Sequence, residues 1–168
     1  MRFTRVTLFF IAFIITLGFY QLARHFLADV EPQTFQATEE VMVDTANLLA
    51  ELVERNIHEH EFKTEHLREA FTGAHQREIK AEIFDHFKSH VGLQMYLTDK
   101  NGIVLFDSDG GRKEGEDYSQ KRDVKRTLDG KYGARSSRAE EDDSASSVLY
   151  VAAPIGDSAK PDGVLTIL

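Results

Sequence analysis

Cysteine is absent from all 168 residues. That excludes thiol catalysis, a disulfide scaffold, zinc–thiolate sites and a lipoprotein anchor cysteine. The absence suits a cell-envelope compartment, where a stray thiol is a hazard. Positive charge is also scarce: 20 Lys and Arg stand against 28 Asp and Glu, a net charge of −8. Such a chain lacks the basic surplus that a phosphate backbone demands, so nucleic acid is not an expected partner. No Walker-type glycine loop, nucleophile elbow or paired-carboxylate motif occurs, and Gly110-Gly111 matches none of these patterns. A membrane-anchored hydrolase, one conceivable reading, therefore has no nucleophile and no complete metal motif. What is present is globular in kind. At 42% hydrophobic and 29% charged residues, the chain has room for one ordinary domain plus an anchor.

The anchor is Val6–Ala23, eighteen positions without a charge, eleven of them Val, Leu, Ile or Phe. As a helix it is about 27 Å long, close to the hydrocarbon thickness of a bilayer. Arg2 and Arg5 precede it, whereas Glu31, Glu39, Glu40 and Asp44 dominate beyond Arg24. The positive-inside rule then puts residues 1–5 in the cytoplasm, 6–23 across the membrane and 24–168 outside. A cleaved signal peptide is the competing reading, but Gly18–Ala23 offers no convincing cleavage pair.

Beyond the anchor, Glu31-Pro32 reads as a helix start, and residues 32–56 form a long helix. It carries two adjacent apolar stripes: Met42, Ala46, Leu49 and Val53, and beside them Val41, Thr45, Leu48 and Leu52. One stripe is enough to cover a sheet, which leaves the other for a partner subunit or for more core. Residues His58 to His90 read as shorter helices, including Glu65–Phe71 and Ile79–Phe87. The period then changes to two, and residues 93–168 read as a sheet. Its strands are Leu93–Thr98, Ile103–Phe106, Tyr132–Ser136, Ser147–Pro154 and Val164–Leu168. Asn101-Gly102 makes the first turn, Ser119 caps a helix that Gly130 ends, and Pro161-Asp162-Gly163 turns the last pair. The expected fold is α+β: a long helix packed on a five-stranded, mostly antiparallel sheet. The chain ends at Leu168 inside an apolar run, so the sequence is expected to continue.

Five blocks carry a family resemblance: ATEEVMVDTANLLAEL (Ala37–Leu52), MYLTDKNGIVLFDS (Met95–Ser108), GEDYS (Gly115–Ser119), TLDGKYGARSS (Thr127–Ser137) and SSVLYVAAPI (Ser146–Ile155). With them the chain resembles the CreC-type sensor histidine kinases of Gram-negative bacteria. The resemblance implies a periplasmic PAS-like (single Cache, or PDC) sensor domain held in the inner membrane. It also implies a homodimer, a kinase part beyond Leu168 and a CreB-like response regulator as partner. ATP and magnesium would belong to that kinase part, and no cofactor or enzymatic activity is expected of this stretch. The same module ahead of a chemoreceptor or nucleotide-cyclase output is the alternative. Arg55–His66 and Arg138–Ala145 depart from the family pattern.

Candidate chemistry is sparse. His58, His60 and His66 miss the zinc-protease spacing, because Thr64 stands where the second His belongs. His86 and His90 are spaced i,i+4 on the expected helix but lack further ligands. Glu140, Glu141, Asp142 and Asp143 form an acidic loop that is a weak cation candidate, and a solvated loop tip is the plainer reading. Arg135 lies in the strand where related sensors line a pocket. There it would hold a small carboxylate, with Tyr96, Tyr118, Tyr132 and Tyr150 as walls or donors. The plainer alternative pairs Arg135 with Asp107 or Asp123.

Overall fold

The structure is a computed structural model that describes the backbone of residues 2–59, 64–138 and 147–168, and side chains within 5–25, 35–57, 64–138 and 147–168. It divides into two units, Met1–Glu40 and Val41–Leu168. Helix α1 is Arg2–Glu59. In the first unit it holds a 21-residue apolar stretch, Arg5–His25, with mean hydropathy 2.1 and none of it buried. By length and composition this stretch is able to cross a membrane, at about 31 Å of helix. The Thr16 hydroxyl is satisfied inside the helix, donating to the Ala12 carbonyl at 2.8 Å. A lipid-facing helix needs that, since lipid offers no partner. The helix start expected at Glu31-Pro32 is not there, because α1 runs through it. One proline removes a single backbone hydrogen bond, and good helix formers such as Ala28, Glu31, Gln33 and Gln36 flank it.

The second unit holds the remainder of α1, then α2 (Thr64–Gln76), β1 (Ala81–Ile83), β2 (His86–Lys88), β3 (Met95–Asp99), β4 (Val104–Asp107), α3 (Arg122–Leu128), β5 (Gly133–Arg138), β6 (Ser147–Asp157) and β7 (Lys160–Ile167). The main sheet has five strands in the order β4-β3-β7-β6-β5, every neighbouring pair antiparallel. The class is α+β, as the sequence pattern requires. Within this sheet β3 and β7, far apart in sequence, lie side by side.

Period-two alternation explains why these strands read as nearly continuous apolar runs, since both faces are covered. Met95, Leu97, Val151, Ala153, Ile155, Leu165 and Ile167 pack with Ala46, Ala50 and Val53 of α1. Leu67 and Phe71 of α2 close over the same face. The residues between them, Tyr96, Ala152 and Val164, pack on the other face with Val124 of α3 and with Tyr118. The turn after β3 is built by Asp99, whose Oδ1 accepts from Asn101 N at 2.9 Å and Ile103 N at 2.8 Å. Gly102 there has φ +83°, and a Cβ on it would sit 2.6 Å from Ser119 Cα. Only glycine fits.

Three local expectations are corrected. Ile79–Phe87 is a hairpin, not a helix: Ile79 N donates to Ser89 O at 2.8 Å, and Ile83 pairs with His86. Its apolar residues have no face to bury, so helical periodicity gains nothing there. His86 and His90 therefore share no helix face. Ser119 does not cap α3, which starts at Arg122 after Lys121; the Ser119 amide donates to Asp117 Oδ1 at 2.8 Å instead. Pro161-Asp162-Gly163 is strand, since the turn is at Ser158-Ala159, flanked by the pair Asp157 and Lys160. Gly163 is kept small by its neighbour strand, where a Cβ would lie 2.5 Å from Thr98 O.

Candidate functional site

The polar centre of the domain is Asp123, in the first turn of α3 and fully buried. Two features let α3 lie so close to the sheet. Thr127 Oγ1 donates to the Asp123 carbonyl at 2.9 Å. Gly133, at the start of β5, leaves space that a Cβ would fill at 2.1 Å from the same carbonyl.

Three side chains donate to the Asp123 carboxylate. Arg135 Nε reaches Oδ1 at 2.6 Å, while the Tyr96 hydroxyl and Thr166 Oγ1, the latter at 3.3 Å, reach Oδ2. The Arg135 guanidinium also lies 3.4 Å from the centroid of the Tyr150 ring, a cation–π contact. Tyr118 meets Tyr96 edge-to-face at 5.2 Å, and Lys121 Nζ sits 3.8 Å from the Tyr118 ring centroid. Four of the five residues expected around a pocket, Arg135, Tyr96, Tyr118 and Tyr150, are thus brought together. Tyr132 is not among them. It lines a separate cavity of about 230 Å³ with Asn47, Thr127, Lys131 and Ser158.

The electrostatics follow from burial. Burial, then the charge and hydrogen bond of Asp123, raises the Tyr96 phenol well above its ordinary value. Burial, with Glu116 and Asp107 nearby, pushes Tyr118 up to about 12. Lys121 is lowered by burial and by the Arg135 charge. Burial works against the Arg135 cation as well, but Asp123 and Tyr96 more than offset it and hold the group charged. Both phenols therefore stay neutral donors at neutral pH. The cluster holds a satisfied ion pair and no activated nucleophile, so it is suited to fixing geometry rather than to bond chemistry. The pairing of Arg135 with Asp123, one of the two structural partners open in the sequence, is the one observed. Thr166 was missed. Its only signal is a lone hydroxyl in the apolar run Val164–Leu168.

Of the two stripes of α1, one is core and the other is exposed. Ala46 and Val53 are buried against the sheet, with Met42 and Leu49 packed beside them. On the other side Val41, Leu48 and Leu52 remain 66%, 63% and 50% exposed. Thr45 between them closes its hydroxyl on the Val41 carbonyl at 2.7 Å. Among the described residues no group of three or more His, Asp or Glu is placed to hold a metal ion. The acidic loop Glu140, Glu141, Asp142 and Asp143 lies outside the described residues, as do the side chains of His58 and His60.

No family model matches the chain. Among curated proteins it is similar to "Sensor protein CreC" of Escherichia coli (strain K12), at 41% identity over 142 residues. The match takes in 84% of this chain and spans 30% of that protein's length. At this identity over most of its own length, the chain belongs with the CreC-type sensor proteins.

Proposed function

We propose that residues 24–168 are the periplasmic, PAS-like (single Cache) signal-sensing domain of a two-component sensor histidine kinase. In this reading 6–23 spans the inner membrane and 1–5 is cytoplasmic. The domain controls autophosphorylation and phosphotransfer to a CreB-like response regulator through a kinase part outside this chain. The observation that carries the reading is the identity to Sensor protein CreC over 84% of the chain. The sheet order supports the PAS-like assignment, with β3 and β7 adjacent. The exposed stripe Val41, Thr45, Leu48 and Leu52 supports a homodimer.

A small carboxylate remains part of the proposal in a restricted form. It would have to share the Arg135 guanidinium with Asp123, because Nε is already committed. The test is a hybrid in which this chain replaces the matching stretch of Sensor protein CreC. Membranes carrying it are expected to autophosphorylate and to transfer phosphate to the response regulator. A well-expressed, membrane-inserted hybrid that does neither refutes the sensor-kinase reading.

A further inference from the structure

The β1–β2 hairpin carries an apolar tip that stays open to solvent. Ile83, Phe84 and Phe87 are 49%, 96% and 59% exposed. Phe84 occupies the turn at φ +51°, a left-handed conformation that an aromatic residue adopts only at a cost in strain. Polar or glycine residues are the usual occupants of such a turn. The register sets Ile83 opposite His86 and Phe87 opposite Glu82. Consecutive pairs face opposite sides of a ribbon, so Ile83 is on one face, Phe87 on the other and Phe84 at the end. A flat protein surface could cover only one of these directions. A fluid medium that surrounds the tip covers all three.

The hairpin also sits at a particular end of the sheet. Its base precedes β3 directly, and Gln94 exchanges two 3.0 Å backbone hydrogen bonds with Leu168. This is the Met95–Ile167 end of the central strands. The late part of α1 is at the opposite end, where Val53 and Ile57 line a crevice with Thr98, Ile155 and Gly163, and Glu54 accepts from Gly156 N at 3.0 Å. Twelve residues of helix, about 18 Å, separate Val41 from Val53. Within the domain, the hairpin therefore leaves from the end at which α1 enters.

We propose that the Ile83-Phe84-Phe87 tip inserts into the outer leaflet of the membrane that anchors the chain, at headgroup level. Three partly inserted side chains would not repay the translational freedom lost by a free protein. Here the anchor has already restricted that freedom. Val41 lies sixteen residues beyond His25, so the domain is held near the bilayer and the tip meets lipid at a raised effective concentration. Asp85 in the turn and Glu82 beside it resist deep burial and keep the insertion shallow, while Lys80 and Lys88 at the base suit the headgroup zone. The inference rests on the anchored-sensor reading.

The chain has no tryptophan, which supplies a direct test. Full-length Phe84→Trp and, separately, Leu17→Trp are reconstituted into vesicles of phosphatidylethanolamine and phosphatidylglycerol, with and without brominated acyl chains. Phe84→Trp is expected to emit at shorter wavelength than in denaturant and to lose a large part of its intensity to the bromines, less than Leu17→Trp loses. Water-like, unquenched emission at position 84 beside a quenched Leu17→Trp overturns the insertion and leaves the anchor standing. An unquenched Leu17→Trp overturns the anchored reading and the insertion with it. Blue-shifted but bromine-insensitive emission at position 84 assigns the tip to a protein surface and also overturns the proposal. A second variant, Phe84→Asp, should abolish protection of the hairpin from protease in vesicles; unchanged protection counts against the membrane.

Discussion

Replacing Arg135 by Met removes the cation beside Asp123 while keeping most of the apolar stem. The carboxylate is fully buried, whereas the Arg135 side chain is 16% exposed. Among the described residues, the variant therefore leaves the negative charge with the Tyr96 and Thr166 hydroxyls as side-chain donors. Breaking a buried ion pair from one side costs about 3–5 kcal/mol. Losing only the cation–π contact with Tyr150 would cost about 0.5–2 kcal/mol. In a unit the size of Val41–Leu168, the larger figure corresponds to a fall of roughly 10–20 °C in Tm. Urea unfolding of the detergent-solubilised chain, followed by circular dichroism, measures it, with an unchanged m-value confirming a stability effect. The decisive comparison is Arg135→Met with Asp123→Asn added. Neutralising the stranded carboxylate should recover part of the loss, so the double variant is more stable than Arg135→Met alone. A double variant that is less stable, by the sum of the single losses, would refute the stranded-charge argument. A cost for Arg135→Met below about 1 kcal/mol would do the same, since that is the range of exposed ion pairs.

The other expectations probe neighbouring parts of the same architecture. Gly133→Ala should destabilise by about 2 kcal/mol or more, as overpacking does, because its Cβ meets the Asp123 carbonyl; calorimetry checks it, and a neutral result would show that α3 can retreat. Stability should fall between about pH 10 and about 12: the Tyr118 phenol ionises in the unfolded chain before it does in the folded one, so rising pH favours unfolding until the folded group titrates. Tyr118→Phe should flatten that part of the pH–stability curve, and an unaltered slope would argue against it. Single cysteines at 41, 45, 48 and 52 in the membrane-bound chain should crosslink between copies more readily than at 46 or 53, whose side chains are buried. Uniformly poor crosslinking would reject the dimer stripe. Thr166→Val and Val53→Ala should be non-additive by about 0.5 kcal/mol or more if β7 carries strain from the Asp123 face to α1, and additive if the sheet insulates them.

The long-range plan was legible because it rests on periodicity. The change from a helical to a period-two pattern near Leu93 located the sheet, whereas the doubled stripe on α1 left open whether its second row was core or exposed, and the structure exposes it. Local chemistry was less legible wherever propensity and packing disagree. Ile79–Phe87 has apolar residues at helical spacing, yet no face awaits them, and a hairpin with an outward tip results. Gly163 reads as a turn residue beside Pro161 and Asp162, but it is glycine because Thr98 O of the adjacent strand comes too close. Asp123 was legible as one possible partner of Arg135. Its burial was not, because it depends on Gly133 and Thr127 drawing α3 onto β5, contacts that no spacing in the chain announces.

Alternation along the central strands bears on how such a domain would carry a signal. On β7, Thr166 reaches Asp123 on one face, while Leu165 and Ile167 on either side of it pack toward α1 on the other. On β3, Tyr96 does the same between Met95 and Leu97. The Asp123 cluster and the buried stripe of α1 are therefore joined through single peptide units of two adjacent strands. A side chain cannot swing at Tyr96 or Thr166 without loading the backbone that seats Ala46 and Val53, because close-packed interiors transmit displacement rather than absorb it. The adjacent stripe of α1, Val41, Leu48 and Leu52, about 100° further round the helix, stays exposed beside that packing and is placed to register a shift against another surface. If the domain is the proposed sensor, a helix seated on the sheet along one stripe and exposed along the next has the arrangement that a rigid-body switch requires.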